Sequence, residues 1–271
     1  MTFNLSEWLN LVVRWVHVFS AILWVGTTYY FTWLDGQMQR LEASGDSNTP
    51  AGVWMVHSGG FYTVVKQKTL GVPAGDVHWF RFEALTTLLS GLTLLAIVYY
   101  AGGLMVDPIH PRVTNMEAVL IGIGTLTFGW AAYDALARSP LARNEVVFGG
   151  IAYALLLVVA AGLMRVLSSR AAYIHVGALF GTIMATNVWM RILPPQRRMI
   201  AAAARGEIID PALGSGAKLR SKHNTFLAVP TTFIMISNHF PTATYGSNYA
   251  VAVLGALILV GWGAAAILRR A

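Results

Sequence analysis

Long apolar runs separated by short polar breaks dominate this chain. A helix that crosses a bilayer needs about 20 consecutive, mostly apolar residues. Seven segments fit that description: 9–33, 80–103, 116–137, 146–167, 171–193, 224–240 and 249–268. The sixth is the shortest; it contains Pro230 and ends in Ser237-Asn238-His239. Two long polar stretches, 35–77 and 194–222, interrupt the series and read as loops. The pattern predicts an all-α fold: a polytopic bundle of about seven transmembrane helices in a single membrane domain, 1–271.

Composition agrees. Apolar residues make up 56% of the chain and charged residues only 11%, against roughly 25% charged in soluble domains. The first apolar run is long enough to span and no A-x-A site follows it, so a cleaved signal is not expected. The absence of cysteine excludes disulfides, thiolate zinc sites, Cys-ligated clusters and c-type haem attachment.

The net charge of +7 is distributed unevenly. If helices alternate in direction, one face receives Arg40, Lys66, Lys68, Arg81, Arg138, Arg143, Arg191, Arg197, Arg198, Arg205, Lys218, Arg220, Lys222, Arg269 and Arg270. That is 15 of the 19 basic residues. Arg112, Arg165, Arg170 and Arg14 remain for the other. The positive-inside rule puts the N-terminus outside and the C-terminus in the cytoplasm, with 35–77 and 194–222 as cytoplasmic loops. Anionic lipid, not nucleic acid, is the expected partner of this charge.

The histidines carry the candidate chemistry. His17 and His175 lie near the start of segments one and five; His78 and His223 immediately precede segments two and six. His78 precedes Thr86–Thr87 by eight and nine residues, and His223 precedes Thr231–Thr232 by the same interval. Helices 1–2 and 5–6 therefore read as a weak parallel repeat. Ionisable groups inside a bilayer are costly and usually functional. On helix one, Arg14, His17, Ala21, Trp24 and Thr28 share a face, as do His175, Leu179, Thr182 and Thr186 on helix five. Two such imidazoles can hold a haem as axial ligands, with Arg14 neutralising a propionate. The alternative is a pair of histidines hydrogen-bonded across a helix interface.

Glu83, Thr87 and Ser90 form a polar stripe on helix two. Glu83 is either an ion-pair partner of Arg81 or another basic residue, or a buried proton acceptor. His57, His78 and His223 gather at the inner mouth with Lys66, Arg81, Arg220 and Lys222. A cationic, histidine-rich mouth suits a planar anion, although positive-inside charge alone accounts for the lysines and arginines. In W-M-V-H-S-G-G-F-Y the glycines after His57 allow close backbone approach to a ligand, and a re-entrant turn is the simpler reading. His239 is a second outer ligand or a helix cap, and His110 lies in an outer loop with no assigned role.

Five motifs stand together: R-W-V-H-V at 14–18, W-M-V-H-S-G-G-F-Y at 54–62, H-W-F-R-F-E-A-L-T-T at 78–87, R-S-K-H-N-T-F-L at 220–227 and M-I-S-N-H-F-P at 235–241. Over essentially its whole length the chain resembles the membrane domain of the cytochrome-linked urate oxidases, the urate hydroxylases of the PuuD type. The first helix pair also resembles the haem-binding helices of HemJ-type protoporphyrinogen oxidases. The first resemblance implies oxidation of urate to 5-hydroxyisourate without hydrogen peroxide, with electrons passing to a cytochrome c. Members of that family often carry one more helix and a C-terminal cytochrome c domain. No C-x-x-C-H occurs here, so no cytochrome c domain is expected, and the acceptor is a separate protein or a missing domain.

The combined expectation is a haem-containing, integral-membrane urate oxidoreductase of a bacterial inner membrane. Lys66, Arg81 and Lys222, with stacking aromatics, bind the urate anion. His57 or Glu83 takes a proton as electrons leave. One or two haems b are expected: His17 and His175 with Arg14 at the outer level, and His78 with His223 at the inner level, unless the inner pair instead contacts substrate. The competing readings are a purine or anion transporter and a b-type cytochrome electron-relay subunit.

Overall fold

A computed structural model describes residues 4–43, 52–66 and 77–270. In chain order, α1 (Leu5–Ala43) is followed by a hairpin of β1 (Gly52–His57) and β2 (Gly60–Val65). Then come α2 (Phe82–Leu94, continued as π-helix over Leu95–Tyr100), α3 (Asn115–Arg138) and α4 (Glu145–Val166). α5 (Ser169–Thr186) passes through a π-helical segment, Asn187–Ile192, into α6 (Leu193–Ala204). α7 (Pro211–Ser237) and α8 (Ala250–Leu268) complete the chain. The fold is an all-α membrane bundle, as the apolar pattern predicts.

Local sequence sets the helix starts. Thr114 and Glu117 close a reciprocal capping box on α3, Asn144 caps α4, Ser168 caps α5, and Asp210 followed by Pro211 opens α7. Each such cap is worth about 1 kcal/mol because it satisfies amides that have no intrahelical partner. The sharp end of α2 uses Gly103 at φ 71°, a conformation that costs a glycine nothing.

Among the described residues six helices are long and apolar enough to cross a membrane: α1, α2 with its π extension, α3, α4, the α5–α6 rod and α8. The chain is a multi-pass membrane protein. α5 is the axis of the core. Its residues Ala171–Gly177 are buried without a break, so it has neighbours on every side. α1 is the opposite case. It turns Leu11, Trp15, Phe19 and Ile22 outward, which suits lipid contact.

α7 is too polar to count among the six, yet it runs the full depth of the bundle. Near its start Lys218 Nζ is 3.0 Å from Asp35 of α1. At its other end Asn238 Oδ1 accepts from Arg170 of α5 at 3.0 Å and from Tyr99 of α2 at 3.1 Å. Arg220, Asn224, Thr225 and Ser237 of α7 are buried against the rest of the bundle. The sixth segment is therefore helical from 211 to 237, not 224 to 240, and His223 lies well inside the helix instead of before it.

These contacts also separate two faces. Residues 104–105, 168, 170 and 238 meet on one. Asp35, Lys66, Lys218 and the backbone of Arg269 meet on the other. Seven helical passes alternate between them among the described residues.

Among the described residues, the two stretches expected to be loops carry regular structure. Within 35–77, α1 continues to Ala43 and a two-stranded hairpin follows; within 194–222, α6 and the first turns of α7 leave only 205–210 between them. The hairpin packs Val53, Met55 and Val64 onto Trp33, Leu34 and Met38 of α1. Ser58 and Gly59 form its turn at φ 49° and 76°. The Gly-Gly pair thus serves a tight hairpin turn, not a backbone approach to ligand. Lys68 lies outside the described residues.

Candidate functional site

The most chemically unsatisfied place in the bundle lies where the start of α2 meets the π segment after α5. On these two elements three polar atoms are fully buried and have no hydrogen-bond partner among the described residues: Arg81 Nε and Glu83 Oε2 at the start of α2, and Trp189 Nε1 on the π segment. Two are donors and one is an acceptor. The Arg81 guanidinium lies 4.9 Å from the Phe82 ring centroid and 5.9 Å from that of Trp189. Trp24, Trp79 and Trp189 pack around Ala84, Val188 and Leu193, and Arg197 stands 6.0 Å from the Trp79 ring. Burying an unpaired polar group costs about 1–3 kcal/mol, so Arg81 and Trp189, neighbours in an aromatic, cationic setting, point to an absent partner, with the orphaned Glu83 carboxylate two residues further along α2. Arg81 and Glu83 were both expected from sequence; Trp189, Trp79 and Arg197 were not singled out.

The π segment explains how one strand of backbone reaches two places. Wide turns of this kind recur at functional sites. Asn187 and Arg191 are four residues apart and share a face, while Trp189 projects from the other side. Trp189 serves the Arg81 centre. Asn187 and Arg191 serve a second one.

That second centre is an ionic and hydrogen-bonded network around Asp134 of α3, which is only 6% exposed. Asp134 pairs with Arg191, with Arg220 at 2.9 Å and, more loosely, with Arg138 at 3.9 Å. Arg220 reaches the Asn187 side-chain oxygen at 3.4 Å. The Asn187 amide donates to Tyr133 at 2.8 Å and to Asn224 at 2.9 Å. Tyr133 in turn lies 2.8 Å from His223 Nδ1. The sequence reading passed over Asp134, although a lone carboxylate in an apolar helix was the available signal. His223 stacks on Phe148 at 4.6 Å and 11°, and its ring lines a cavity of about 280 Å³ among α3, α4, α5, α7 and α8.

The intramembrane histidines belong to separate interfaces. His17 Nδ1 meets Thr87 O at 3.0 Å and Ser90 Oγ at 3.1 Å. Its ring abuts Gly91, whose absent Cβ would stand 2.9 Å from Cε1. His175 is fully buried, with Nδ1 2.8 Å from Ala171 O and Nε2 3.3 Å from the Tyr100 hydroxyl. A Cβ on Gly122 of α3 would lie 2.5 Å from His175 Nε2. A haem ligand needs a nitrogen lone pair with room for iron beside it. His17 meets the lone-pair requirement: a carbonyl only accepts, so Nδ1 carries the proton and Nε2, which has no protein partner among the described residues, keeps its lone pair. His175 does not fit in this packing, because Tyr100 and the α3 backbone occupy the approach to Nε2. The two are not a facing pair.

The remaining expected site residues are dispersed. His57 is exposed at the hairpin turn, and no hydrogen bond, ion pair or ring contact connects it to Arg81 or Glu83. His78 is exposed and meets Phe80 edge-on at 4.6 Å; it does not pair with His223, which is held by Tyr133 and Phe148. Lys66 and Lys218 share Asp35, at 2.8 and 3.0 Å. Lys222 pairs with Glu145 at 2.6 Å. Arg14 bonds Asn10 on its own helix at 2.9 Å. His239 follows the α7 end, its amide on Ile236 O at 2.9 Å. The cationic mouth is thus largely neutralised by acids, and Arg81 is the member that keeps an unused buried donor. Among the described residues no group of three or more His, Cys, Asp or Glu side chains forms a metal site.

The family described as urate oxidase N-terminal matches residues 3–269. The chain belongs to this family. No curated protein and no solved structure matched it. In this urate oxidase-related chain the Arg81–Glu83–Trp189 centre and the His17 interface share the α1–α2 surface. Thr87 is one turn from Glu83, about 6 Å along α2, and Trp24 is two turns from His17, about 10 Å along α1.

Proposed function

We propose that the chain oxidises urate to 5-hydroxyisourate at the Arg81–Glu83–Trp189 centre, with electrons leaving through haem b toward a cytochrome c. The observation that carries the reading is the set of three orphaned buried atoms. Urate is a planar anion with carbonyl oxygens that accept and ring N–H groups that donate. Arg81 Nε and Trp189 Nε1 match the acceptors, Glu83 Oε2 matches a donor, and the tryptophans supply a flat apolar enclosure. The family assignment fits this substrate.

The overall change is balanced as urate monoanion plus water giving 5-hydroxyisourate, one proton and two electrons. Arg81 holds the anion and offsets its charge in a site that excludes bulk water. Glu83 accepts the ring proton whose loss accompanies oxidation. Trp189 and Trp79 fix the plane of the ring, so that water adds at one carbon. Haem b, held through His17 Nε2, supplies a one-electron acceptor when bound. The reading includes an N-terminus outside and a C-terminus in the cytoplasm of a bacterial inner membrane; the concentration of basic residues on the face holding Asp35, Lys66 and Lys218 supports it.

The test is turnover by the full chain in detergent with cytochrome c present. Loss of urate with appearance of 5-hydroxyisourate and reduced cytochrome c is expected. Arg81→Gln is expected to raise KM at least tenfold, since a charged hydrogen bond contributes about 1.5–3 kcal/mol. Unchanged kinetics in that variant would remove the centre from the reaction.

A further inference from the structure

We propose that the cavity beside His223 is a binding site for a membrane quinone, entered sideways from the bilayer. The cavity, about 280 Å³, is walled by apolar side chains of four candidate spans and α7. Ala132 of α3 and Leu155 of α4 line it and are exposed on the surface. One opening therefore lies between the apolar helices α3 and α4, and the Lys222–Glu145 pair lines the polar end. Gly149 lines the cavity too, with nothing within 4 Å of where a Cβ would stand. A ligand of this site needs an apolar body that partitions into lipid.

The polar end of the cavity specifies the head of that ligand. Arg220, anchored on Asp134, donates to the Asn187 oxygen, which turns the Asn187 amide nitrogen toward Tyr133. The Tyr133 oxygen therefore accepts from Asn187 and gives its own proton to His223 Nδ1. That fixes the His223 tautomer with hydrogen on Nε2, which has no partner among the described residues. Phe148 holds the ring in plane from one side. Trp262 also lines the cavity, and its Nε1 is buried without a partner. A hydrogen-bond donor on an oriented imidazole, in an apolar lateral cavity, matches a quinone carbonyl. A phospholipid headgroup would need free cations, and Lys222 is committed to Glu145.

The binding stands on this geometry alone; its redox use rests on the urate reading above. In that use quinone takes the place of cytochrome c as the acceptor, and the two electrons released by urate convert one quinone to quinol. One proton comes from His223 Nε2, replaced from the Lys222–Glu145 side, and the second comes from solvent.

The experiment titrates the full chain in detergent with a short-tailed ubiquinone analogue, following quenching of tryptophan fluorescence, and then adds urate. Saturable quenching is expected. His223→Phe, which keeps the stack on Phe148, is expected to weaken binding about tenfold, the loss of about one hydrogen bond. Gly149→Leu fills the cavity from a position with room for it and is expected to abolish saturation. Equal affinity in wild type and both variants overturns the proposal. So does loss of a haem absorption band in His223→Phe, which would make the cavity a cofactor pocket. Saturable, variant-sensitive binding without urate-dependent quinol formation supports the site and overturns only its redox use, whereas absence of urate turnover with cytochrome c removes the urate reading.

Discussion

His17 Nδ1 lies 3.0 Å from the carbonyl oxygen of Thr87, tying an imidazole of α1 to the backbone of α2. The contact fixes the tautomer and aims a free lone pair away from the bond, which is how protein-bound imidazoles are prepared for metal. His17→Ala is therefore expected to abolish or strongly alter a b-type haem spectrum of the purified chain. Gly91→Ala places a methyl 2.9 Å from the imidazole Cε1 and is expected to shift the bands while retaining haem. His110→Ala, in a surface loop, is the control. A wild-type spectrum in His17→Ala would transfer the ligand role elsewhere.

In the proposed reaction Glu83 and Trp189 divide the substrate work. Glu83→Gln preserves shape and removes the proton acceptor, so urate oxidation is expected to fall about a hundredfold in kcat with little change in KM. Without the carboxylate, proton loss falls to water and hydroxide, and the deficit is expected to narrow as pH rises. Trp189→Phe removes one donor and keeps an aromatic wall. Its expected effect is a several-fold rise in KM. Stopped-flow reduction at several urate concentrations and pH values reads both.

The bundle was legible because bilayer length and apolar composition leave few alternatives, and six of the seven expected segments coincide with apolar helices. α7 blurred because Arg220, His223 and Asn224 turn inward, so its burial is invisible to a hydropathy scan. Glu83 and Arg81 were readable as polar residues at the mouth of an apolar run. The pairing of His17 with His175 was not, because facing direction depends on crossing geometry. His17 turns to Gly91, and His175 turns to Gly122 and Tyr100. Asp134 was overlooked among apolar neighbours, although its three arginine partners come from sites four, 57 and 86 residues away.

Asp134 also sets a stability prediction. Removing one partner of a buried ion pair leaves the other uncompensated, at a cost of about 3–5 kcal/mol. Asp134→Asn strands Arg220, whose side chain is 6% exposed, and half-buried Arg191. The expected result is a clear drop in thermal stability in detergent. Arg138 is 67% exposed and 3.9 Å from the carboxylate, so Arg138→Gln should change stability by less than about 1 kcal/mol. Equal effects of the two variants would deny the network its buried character.

Orientation follows from the same contacts and can be tested with reporter fusions. The loop around 110 lies at the end where 104–105, 168 and 238 meet. Positions 206 and 270 lie at the end that gathers Asp35, Lys66 and Lys218. Basic residues concentrate at that second end, and cytoplasmic loops carry the excess of lysine and arginine. An alkaline phosphatase fusion at 110 is expected to be active, and one at 206 inactive; a fluorescent protein at the C-terminus is expected to fluoresce. α7 is the sensitive point. Because it crosses despite its polarity, fusions at 206 and 243 are expected to report opposite sides. Identical reports at those two positions would mean that α7 does not cross, and that its polar face meets water instead of the bundle interior.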